Sequence, residues 1–263
     1  MEVGGGAWLS NCLKIRLLVI PAEAGIQENA LVDAEKNSPT PGRPRFLPCG
    51  ETAVSIEFGN IIDLEVNRRV HALCRKLTEA RLPGVLSFNP TYRSLFVQYD
   101  PWESSYEQLI LEIEKLLQEP EGPLKDERVM SIPVCYGGEY GPDMEEAASA
   151  HGLTVEEVVA LHSAPLYHVY MIGFTPGFAY LGGLDPRLFI PRKTTPRIRV
   201  PAGSVGIADQ QTGIYSIESP GGWQLIGRTP LKLFDSARPA PFLLEAGMSI
   251  KFIPISADEY SHS

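Results

Sequence analysis

The chain has few cysteines and no long apolar run. Its 263 residues include four cysteines that lie far apart, with no CxxC spacing and no nearby histidine pair: Cys12, Cys49, Cys74 and Cys135. This arrangement favours neither a zinc site nor a disulfide framework, and it fits reduced thiols in the cytoplasm. No stretch approaches the roughly 20 apolar residues of a membrane span, and residues 17–20 are too short a patch for a signal-peptide core. We therefore expect a soluble, cytoplasmic protein with no metal site and no membrane contact.

The best-known catalytic motifs are also missing. The sequence has no P-loop glycine-lysine motif, no GxGxxG after a predicted strand and no HExxH, and Ala202 stands where the nucleophile elbow of an α/β-hydrolase needs its first glycine. The net charge of −9 disfavours a broad surface for nucleic-acid phosphates, so we expect no nucleic-acid partner. A content of 44% hydrophobic and 21% charged residues is typical of a globular protein with a sizeable core.

The periodicity of the sequence divides the chain into three parts. Residues 1–44 lack sustained periodicity and end in SPTPGRP, so we predict a tail that is partly disordered. Residues 45–125 alternate between strand and helix patterns, with a capping box predicted at Ser104 and Glu107 before the second helix, which predicts a compact α+β domain.

Residues 126–256 form the third part. A strand at 132–136 and helices at 144–150 and 155–162 come first, the second helix opened by a capping box at Thr154 and Glu157. The remaining residues, to 255, have short apolar runs broken by glycine or proline, which favours a β-barrel or a sandwich.

Basic residues concentrate in one segment of this otherwise acidic chain. Residues 187–199, the basic segment, contain five arginines or lysines and no acid. Pro191 and Pro196 stiffen the part that carries Arg192 and Arg197, and the planar guanidinium group suits carboxylate or phosphate recognition. The pattern indicates an anion-facing loop; the alternative is a solvated loop that pairs with acids of the first domain.

Residues 221–224, the glycine segment, are a second candidate. Gly221 and Gly222 precede Trp223 and Gln224, and Arg228 follows shortly after. Paired glycines can present backbone N–H groups to an oxyanion beside an aromatic wall. The alternative is a glycine hairpin that places Trp223 in the core.

The GFTPGFAY motif at residues 173–180 supplies aromatic candidates. Phe174, Phe178 and Tyr180 either surround an apolar pocket or partner surface, or pack in a barrel corner. His168 is a candidate general base, with a structural strand histidine as the alternative. Glu218 is the candidate carboxylate beside the glycine segment, with a solvent-facing strand residue as its alternative.

Two further acids lie before the first short helix of the third part. Glu139 and Asp143 are interpreted as capping that helix rather than as catalytic groups.

At these motifs the sequence resembles a known family. The segments GFTPGFAYLGGLDPRL, PRKTTPRIRVPAGSVGIA and TGIYSIESPGGWQLIGRTP, together with PTYRSLFVQYDP at 90–101, resemble the family of the 5-oxoprolinase B subunit, also called the sporulation-kinase inhibitor or allophanate hydrolase subunit 1 family. The resemblance covers residues 45–255. It implies an α+β N-terminal domain followed by a cyclophilin-like β-barrel.

The resemblance also implies an activity. It indicates one chain of a heteromeric enzyme that, with a cyclophilin-like C subunit and an A subunit, uses ATP as co-substrate to open 5-oxoproline to glutamate. Arg192, Arg197 and Arg228, helped by the amides of Gly221 and Gly222, would then meet phosphate or carboxylate at the interface with the C subunit. Two alternatives stay open: a regulator that binds a sensor histidine kinase, and the carboxyltransferase component of a urea carboxylase or allophanate hydrolase system.

Overall fold

The computed structural model describes residues 43–120 and 129–262. The predicted tail at 1–44 lies outside the described residues except for its last two positions, and most of the proline-containing link after residue 119 lies outside them as well. The boundaries predicted at 45–125 and 126–256 stay a prediction. The elements below are numbered in chain order through the described residues.

An antiparallel four-stranded sheet forms the first part of the described chain. Its strands lie in the order β1-β2-β4-β3, with bounds β1 Arg45–Pro48, β2 Ala53–Glu57, β3 Val85–Pro90 and β4 Ser94–Tyr99. Alternate residues of β2 and β4, such as Val54 and Leu95, are fully buried under two amphipathic helices, α1 Leu64–Ala80 and α2 Tyr106–Gln118. One face of the sheet therefore carries the core of this part.

The two helices begin at side-chain caps. Asp63 accepts the amides of Glu65 and Val66 at the start of α1. At the start of α2 the capping box joins Ser105 to Gln108, so the box predicted at Ser104 and Glu107 is wrong by one residue. A serine doublet offers two candidate caps, and glutamine completes the box as well as glutamate does.

A closed seven-stranded barrel forms the second part. The strand order is β10-β7-β6-β13-β5-β12-β9, with β9 pairing back onto β10, and the bounds are β5 Val129–Tyr136, β6 Tyr167–Ile172, β7 Ala179–Gly182, β9 Ser204–Ala208, β10 Gln211–Ile214, β12 Gln224–Arg228 and β13 Ser249–Ile255. The pairing of β5 with β13 is parallel, whereas the other barrel pairs are antiparallel. Closure removes the sheet edges that short strands would otherwise expose.

The remaining elements lie around the barrel. Strands β8 Arg197–Val200 and β11 Ser219–Gly221 form a separate two-stranded sheet. The helices are α3 Met144–Ala150, α4 Val155–Ser163 and α5 Ala257–Ser261, and the capping box predicted for Thr154 and Glu157 opens α4. An α+β part followed by a β-barrel confirms the predicted fold class.

The barrel interior contains one fully buried histidine. His162 lies among apolar neighbours and stacks on Phe252, with ring centroids 4.6 Å apart. Thr212 Oγ1 donates its proton to the Gly206 carbonyl, so it accepts from His162 Nε2 at 2.9 Å, and His162 Nδ1 accepts from Tyr136 Oη at 2.8 Å. These three side chains, His162, Tyr136 and Thr212, form the interior histidine network, in which a neutral imidazole has a partner for each ring nitrogen.

Candidate functional site

The carboxylate of Asp143, just before α3, joins the basic segment to the barrel. Its Oδ1 accepts from Arg197 Nη2 at 2.6 Å and from Lys193 Nζ at 3.0 Å, and its Oδ2 accepts from the Leu225 amide at 2.7 Å. Lys193 Nζ also lies 3.0 Å from Glu146 Oε2 and 3.3 Å from Gln224 Oε1. We call four of these residues the Asp143 cluster: Asp143, Lys193, Arg197 and Gln224.

Asp143 stands at the predicted N-cap position of α3, but its side chain does not cap the helix. Its side chain makes no capping hydrogen bond to α3 and is instead 3% exposed between two cations. Burial alone would raise the pKa of Asp143, but the hydrogen bonds from Arg197, the Leu225 amide and Lys193 outweigh it and hold that pKa below its usual value. Asp143 is therefore an ionised acid that bonds Lys193 and Arg197, which lie about fifty positions further along the chain.

The Asp143 cluster also brings the basic segment against the glycine segment. The Lys193 amide donates to the Gly222 carbonyl at 2.7 Å, and Gln224 Nε2 donates to the Pro191 carbonyl at 3.4 Å. Gln224, predicted as a substrate-binding residue, is buried and holds Lys193 through its Oε1. The two predicted loops thus form one connected surface.

The positive charge of Arg192 acts on three phenols. Its guanidinium is half exposed and sits 3.6 Å from Asp209 Oδ2. Burial raises the pKa of Tyr92, Tyr180 and Tyr215, the last to about 12, and the nearby positive charge of Arg192 partly opposes that rise in each. We call these four residues the phenol cluster: Arg192, Tyr92, Tyr180 and Tyr215.

The phenol cluster draws on both parts of the fold. Tyr92 follows β3 of the four-stranded sheet, and its ring centroid lies 5.8 Å from that of Tyr180 on β7 of the barrel. Tyr215 follows β10, and the charge of Arg197 acts on its phenol as well. Arg192 and Arg197, predicted to act together, therefore flank one phenol.

The predicted aromatic residues occupy two environments. Phe178 is fully buried, with its ring 5.5 Å from that of Trp223 and 4.8 Å from that of Tyr180. Trp223 is itself buried, which agrees with the alternative prediction that this residue lies in the core. Phe174 is 55% exposed and adopts a left-handed φ of 62°, which a phenylalanine rarely adopts. Phe174 is thus the member of the motif that is available to a ligand or partner.

The two predicted glycines differ in their surroundings. A Cβ added to Gly221 would overlap the Tyr215 ring, whose Cε1 and Cζ lie 2.7 Å from its position, whereas a Cβ on Gly222 would meet its nearest neighbours at ordinary distances of 3.6 Å. Gly221 is therefore required by the close approach of Tyr215. The predicted role of both amides as oxyanion donors stays a prediction.

Three predicted site residues lie apart from both clusters. Glu218 is exposed and pairs with Arg199 at 2.8 Å. This agrees with the alternative prediction that Glu218 faces solvent. Arg228 lies on β12, where its charge partly opposes the rise in the pKa of Tyr140 that burial causes. His168 contacts Asn67 of α1, where its Nε2 donates to Asn67 Oδ1 at 3.1 Å.

The surroundings of His168 favour a structural role. Asn67 and His71 of α1 also bond the Tyr170 carbonyl, so the three side chains tie this helix to barrel strand β6. Burial, the nearby His71 and Arg68 lower the pKa of His168 to about 4, and burial lowers the pKa of His71. A role for His168 as a general base stays a prediction.

Sequence reasoning missed Tyr92, Tyr215 and the role of Asp143. Tyr92 lies within PTYRSLFVQYDP, and Tyr215 lies within TGIYS, both of which the family resemblance included without assigning these residues a role. Their place within these two motifs was the available signal. For Asp143, no local pattern indicates partners at Lys193 and Arg197.

Two kinds of feature are absent from the described residues. Within 43–120 and 129–262, no group of three or more His, Cys, Asp or Glu side chains is arranged to hold a metal ion. In the same ranges, no helix has the length and apolar character needed to cross a membrane.

Comparison with known proteins identifies the class. The family model described as carboxyltransferase domain, subdomain C and D, matches residues 44–244, which places the chain among carboxyltransferase-type domains. It is 46% identical over 222 residues to the B subunit of 5-oxoprolinase from Bacillus subtilis (strain 168), covering 80% of this chain and 92% of that protein. The chain thus belongs to the family of the 5-oxoprolinase B subunit, as its motifs predicted.

Two further relatives are longer than this chain. The crystal structure of TTHA0988 superposes with a TM-score of 0.72 at 41% identity, and the match covers 78% of this chain but only 40% of that one. Urea amidolyase of Lachancea kluyveri is 24% identical over 277 residues, covering 92% of this chain and 15% of that protein. In both relatives, therefore, the matching region is one part of a larger polypeptide.

Proposed function

We propose that this chain is the B subunit of a heteromeric, ATP-dependent 5-oxoprolinase that opens 5-oxoproline to glutamate. The observation that carries the proposal is the match along 92% of the length of the Bacillus subtilis protein, which bears that name. The name of that relative specifies one subunit of several, so the proposed partners are the A and C subunits.

The proposed reaction explains why arginines would be needed. The lactam amide is resonance-stabilised, so transfer of the γ-phosphoryl group of ATP to its carbonyl oxygen makes a better electrophile. Water then adds to that carbon, the ring C–N bond breaks to leave an acyl phosphate, and a second water releases phosphate and glutamate. Each step develops or moves negative charge, which nearby guanidinium groups stabilise.

The Asp143 cluster and the phenol cluster support this assignment. Arg192 is half exposed beside three phenols, which burial keeps protonated and able to donate hydrogen bonds. In the proposal these groups hold the carboxylate of 5-oxoproline where the B and C subunits meet, and the exposed Phe174 contacts substrate or the C subunit.

Co-expression with the candidate A and C subunits tests the proposal. Glutamate and ADP formation from 5-oxoproline should require all three chains, because this chain lacks a recognisable ATP-binding motif of its own. An active pair that lacks this chain, or an inactive three-subunit complex, would contradict the proposal. An inactive three-subunit complex would favour the alternative functions of kinase binding or carboxyl transfer.

A second candidate function has an observation in its favour. The carboxyltransferase family match and the similarity to urea amidolyase favour a carboxyltransferase component of a urea-degrading system. The same purified complex should then consume urea and bicarbonate when a biotin carboxylase and its carrier domain are added. Glutamate formation from 5-oxoproline without those additions would favour the first proposal.

A further inference from the structure

The carboxylate of Asp143 does not cap its helix. Helix α3 receives no side-chain cap from it, and the backbone amide of Asp143 already donates to the Leu225 carbonyl at 2.9 Å. The main chain therefore attaches α3 to β12. The bonds to Lys193 and Arg197 give the carboxylate a different task, in the basic segment.

Two cations share the carboxylate of Asp143. Lys193 and Arg197 both bond Oδ1 of a single buried acid, and the additional acid, Glu146, is 64% exposed, where solvent weakens its effect. Within the described residues, Arg197 Nη1 is buried and has no hydrogen-bond acceptor. A buried donor without an acceptor destabilises the fold, so the placement of this guanidinium is not explained by stability alone.

The same acid fixes the position of Arg192. Lys193, next to Arg192 in the chain, is held by Asp143 through its side chain and by the Gly222 carbonyl through its backbone. Arg197 is held at the other end of the stiff Pro196-containing stretch. Loss of the charge on Asp143 would weaken these two side-chain bonds together, and the backbone bond to Gly222 and the pairing of β8 with β11 would remain.

We propose that Asp143 is a positioning residue for substrate binding, because its carboxylate holds Lys193 and Arg197 and, through them, helps to place the neighbouring, half-exposed Arg192 to meet the carboxylate of the substrate. This inference rests on the proposed function for the identity of the substrate. Asp143 itself touches the cations and not the substrate, so it acts through them.

The test compares Asp143→Asn with Glu146→Gln in the assembled three-subunit complex. Asp143→Asn keeps the size of the side chain and removes its charge, and we expect KM for 5-oxoproline to rise about tenfold or more while kcat changes less, since positioned binding groups are lost. Glu146→Gln removes an exposed acid that also contacts Lys193, and KM should stay within about twofold. Equal effects of the two variants on KM would overturn the inference.

A double-mutant cycle shows whether Asp143 acts through Arg197. In an Arg197→Gln background, Asp143→Asn should raise KM little further, because residues in contact have non-additive effects. Fully additive losses would contradict the proposal. If Asp143→Asn lowers the yield of folded complex, Asp143→Glu serves instead, and it should retain part of the substrate affinity because it keeps the charge.

A spectroscopic readout separates this inference from the proposed enzyme activity. In the isolated chain, the guanidinium N–H signals of Arg197 should be restricted and protected in the wild type and in Glu146→Gln, and averaged in Asp143→Asn. If the wild-type complex does not turn over 5-oxoproline, the proposed function fails, and these spectra still decide whether Asp143 fixes Arg197. Unchanged Arg197 signals in Asp143→Asn would overturn the inference in either case.

Discussion

The barrel interior and the basic segment bury polar side chains in opposite ways. In the interior histidine network, each ring nitrogen of His162 has one neutral partner, and burial lowers the pKa of His162 to about 3. In the Asp143 cluster, two cations share one acid, and Arg197 Nη1 lacks an acceptor among the described residues. A neutral network with every donor and acceptor paired specifies a core, whereas the Asp143 cluster leaves a buried guanidinium donor without an acceptor in the described part of the chain.

The largest expected effect comes from removing a cation of the Asp143 cluster. Arg197→Ala should reduce kcat/KM of the three-subunit complex by about 10²–10³-fold, because one charge-stabilising donor is lost. Arg199→Ala is the matched control: it removes an exposed arginine two positions away that pairs with Glu218, and its rate should stay near that of the wild type. Steady-state kinetics with 5-oxoproline and a thermal melt of each variant measure both properties.

Two results would contradict this prediction. A wild-type rate in Arg197→Ala would show that Arg197 is not part of the site. An equal loss of rate in Arg199→Ala would show that the effect comes from the overall positive charge of the basic segment. Arg228→Ala extends the comparison, because Arg228 lies near Tyr140 and apart from the phenol cluster. Its predicted part in turnover requires the C subunit to bring it to the same site.

Between pH 6.5 and about 4, acid should lower the stability of the protein through the barrel interior and not through the Asp143 cluster. The pKa of His162 is lowered from 6.5 to about 3 by burial, so below pH 6.5 the unfolded chain takes up a proton that the folded chain does not. Between pH 6.5 and about 4 the free energy of unfolding should therefore fall by about 3 kcal/mol from this residue. His168 and His71, whose pKa values are also lowered, add to the fall.

Urea unfolding of two variants tests the acid effect. His162→Gln cannot titrate, so its stability should depend less steeply on pH in this window, even if it is less stable at neutral pH. His262→Gln replaces an exposed histidine after α5 and should keep the wild-type slope. The assignment to His162 fails if both variants lose stability with the wild-type slope.

An intermediate effect is expected within the glycine segment. Gly221→Ala should destabilise the chain by about 1–3 kcal/mol, because the new methyl group overlaps the buried ring of Tyr215. Gly222→Ala should cost less than about 1 kcal/mol, since ordinary contact distances surround its Cβ position. Thermal melts compare the two, and equal losses would show that the overlap with Tyr215 is relieved without cost.

The smallest effect is expected at the exposed pair in the two-stranded sheet. Glu218→Gln should change the free energy of unfolding by less than about 0.5 kcal/mol, because Glu218 and Arg199 are both largely exposed. Denaturant unfolding in low and high salt measures the change. A loss above about 1 kcal/mol would contradict the solvent-facing assignment of Glu218.

Local sequence signals predicted the fold better than the site. The capping box at Thr154 and Glu157 depends on residues three apart, and the structure contains it. The closed barrel requires pairing between distant strands, so the Gly- and Pro-broken pattern left a barrel and a sandwich as alternatives until the family resemblance favoured the barrel. Local rules specify elements, and the contacts between elements decide how they assemble.

The predicted site was harder because its partners are distant in sequence. Composition identified the basic segment correctly as a concentration of charge, but it gave no sign that Arg197 bonds an acid 54 positions earlier. Asp143 was interpreted from its position before a helix, which is the usual place of a cap. Tyr92 belongs to the other part of the fold, so nothing near the arginines in sequence indicated it.

The parallel pairing of β5 with β13 has a consequence for synthesis and truncation. The first and last strands of the barrel are neighbours, with Val129 opposite Ser249. During translation the barrel cannot close until its final strand, β13, has left the ribosome. Until then β5 has an unpaired edge. Loss of β13, Ser249–Ile255, would therefore prevent closure of the barrel, whereas interruptions in its exposed loops would be far better tolerated.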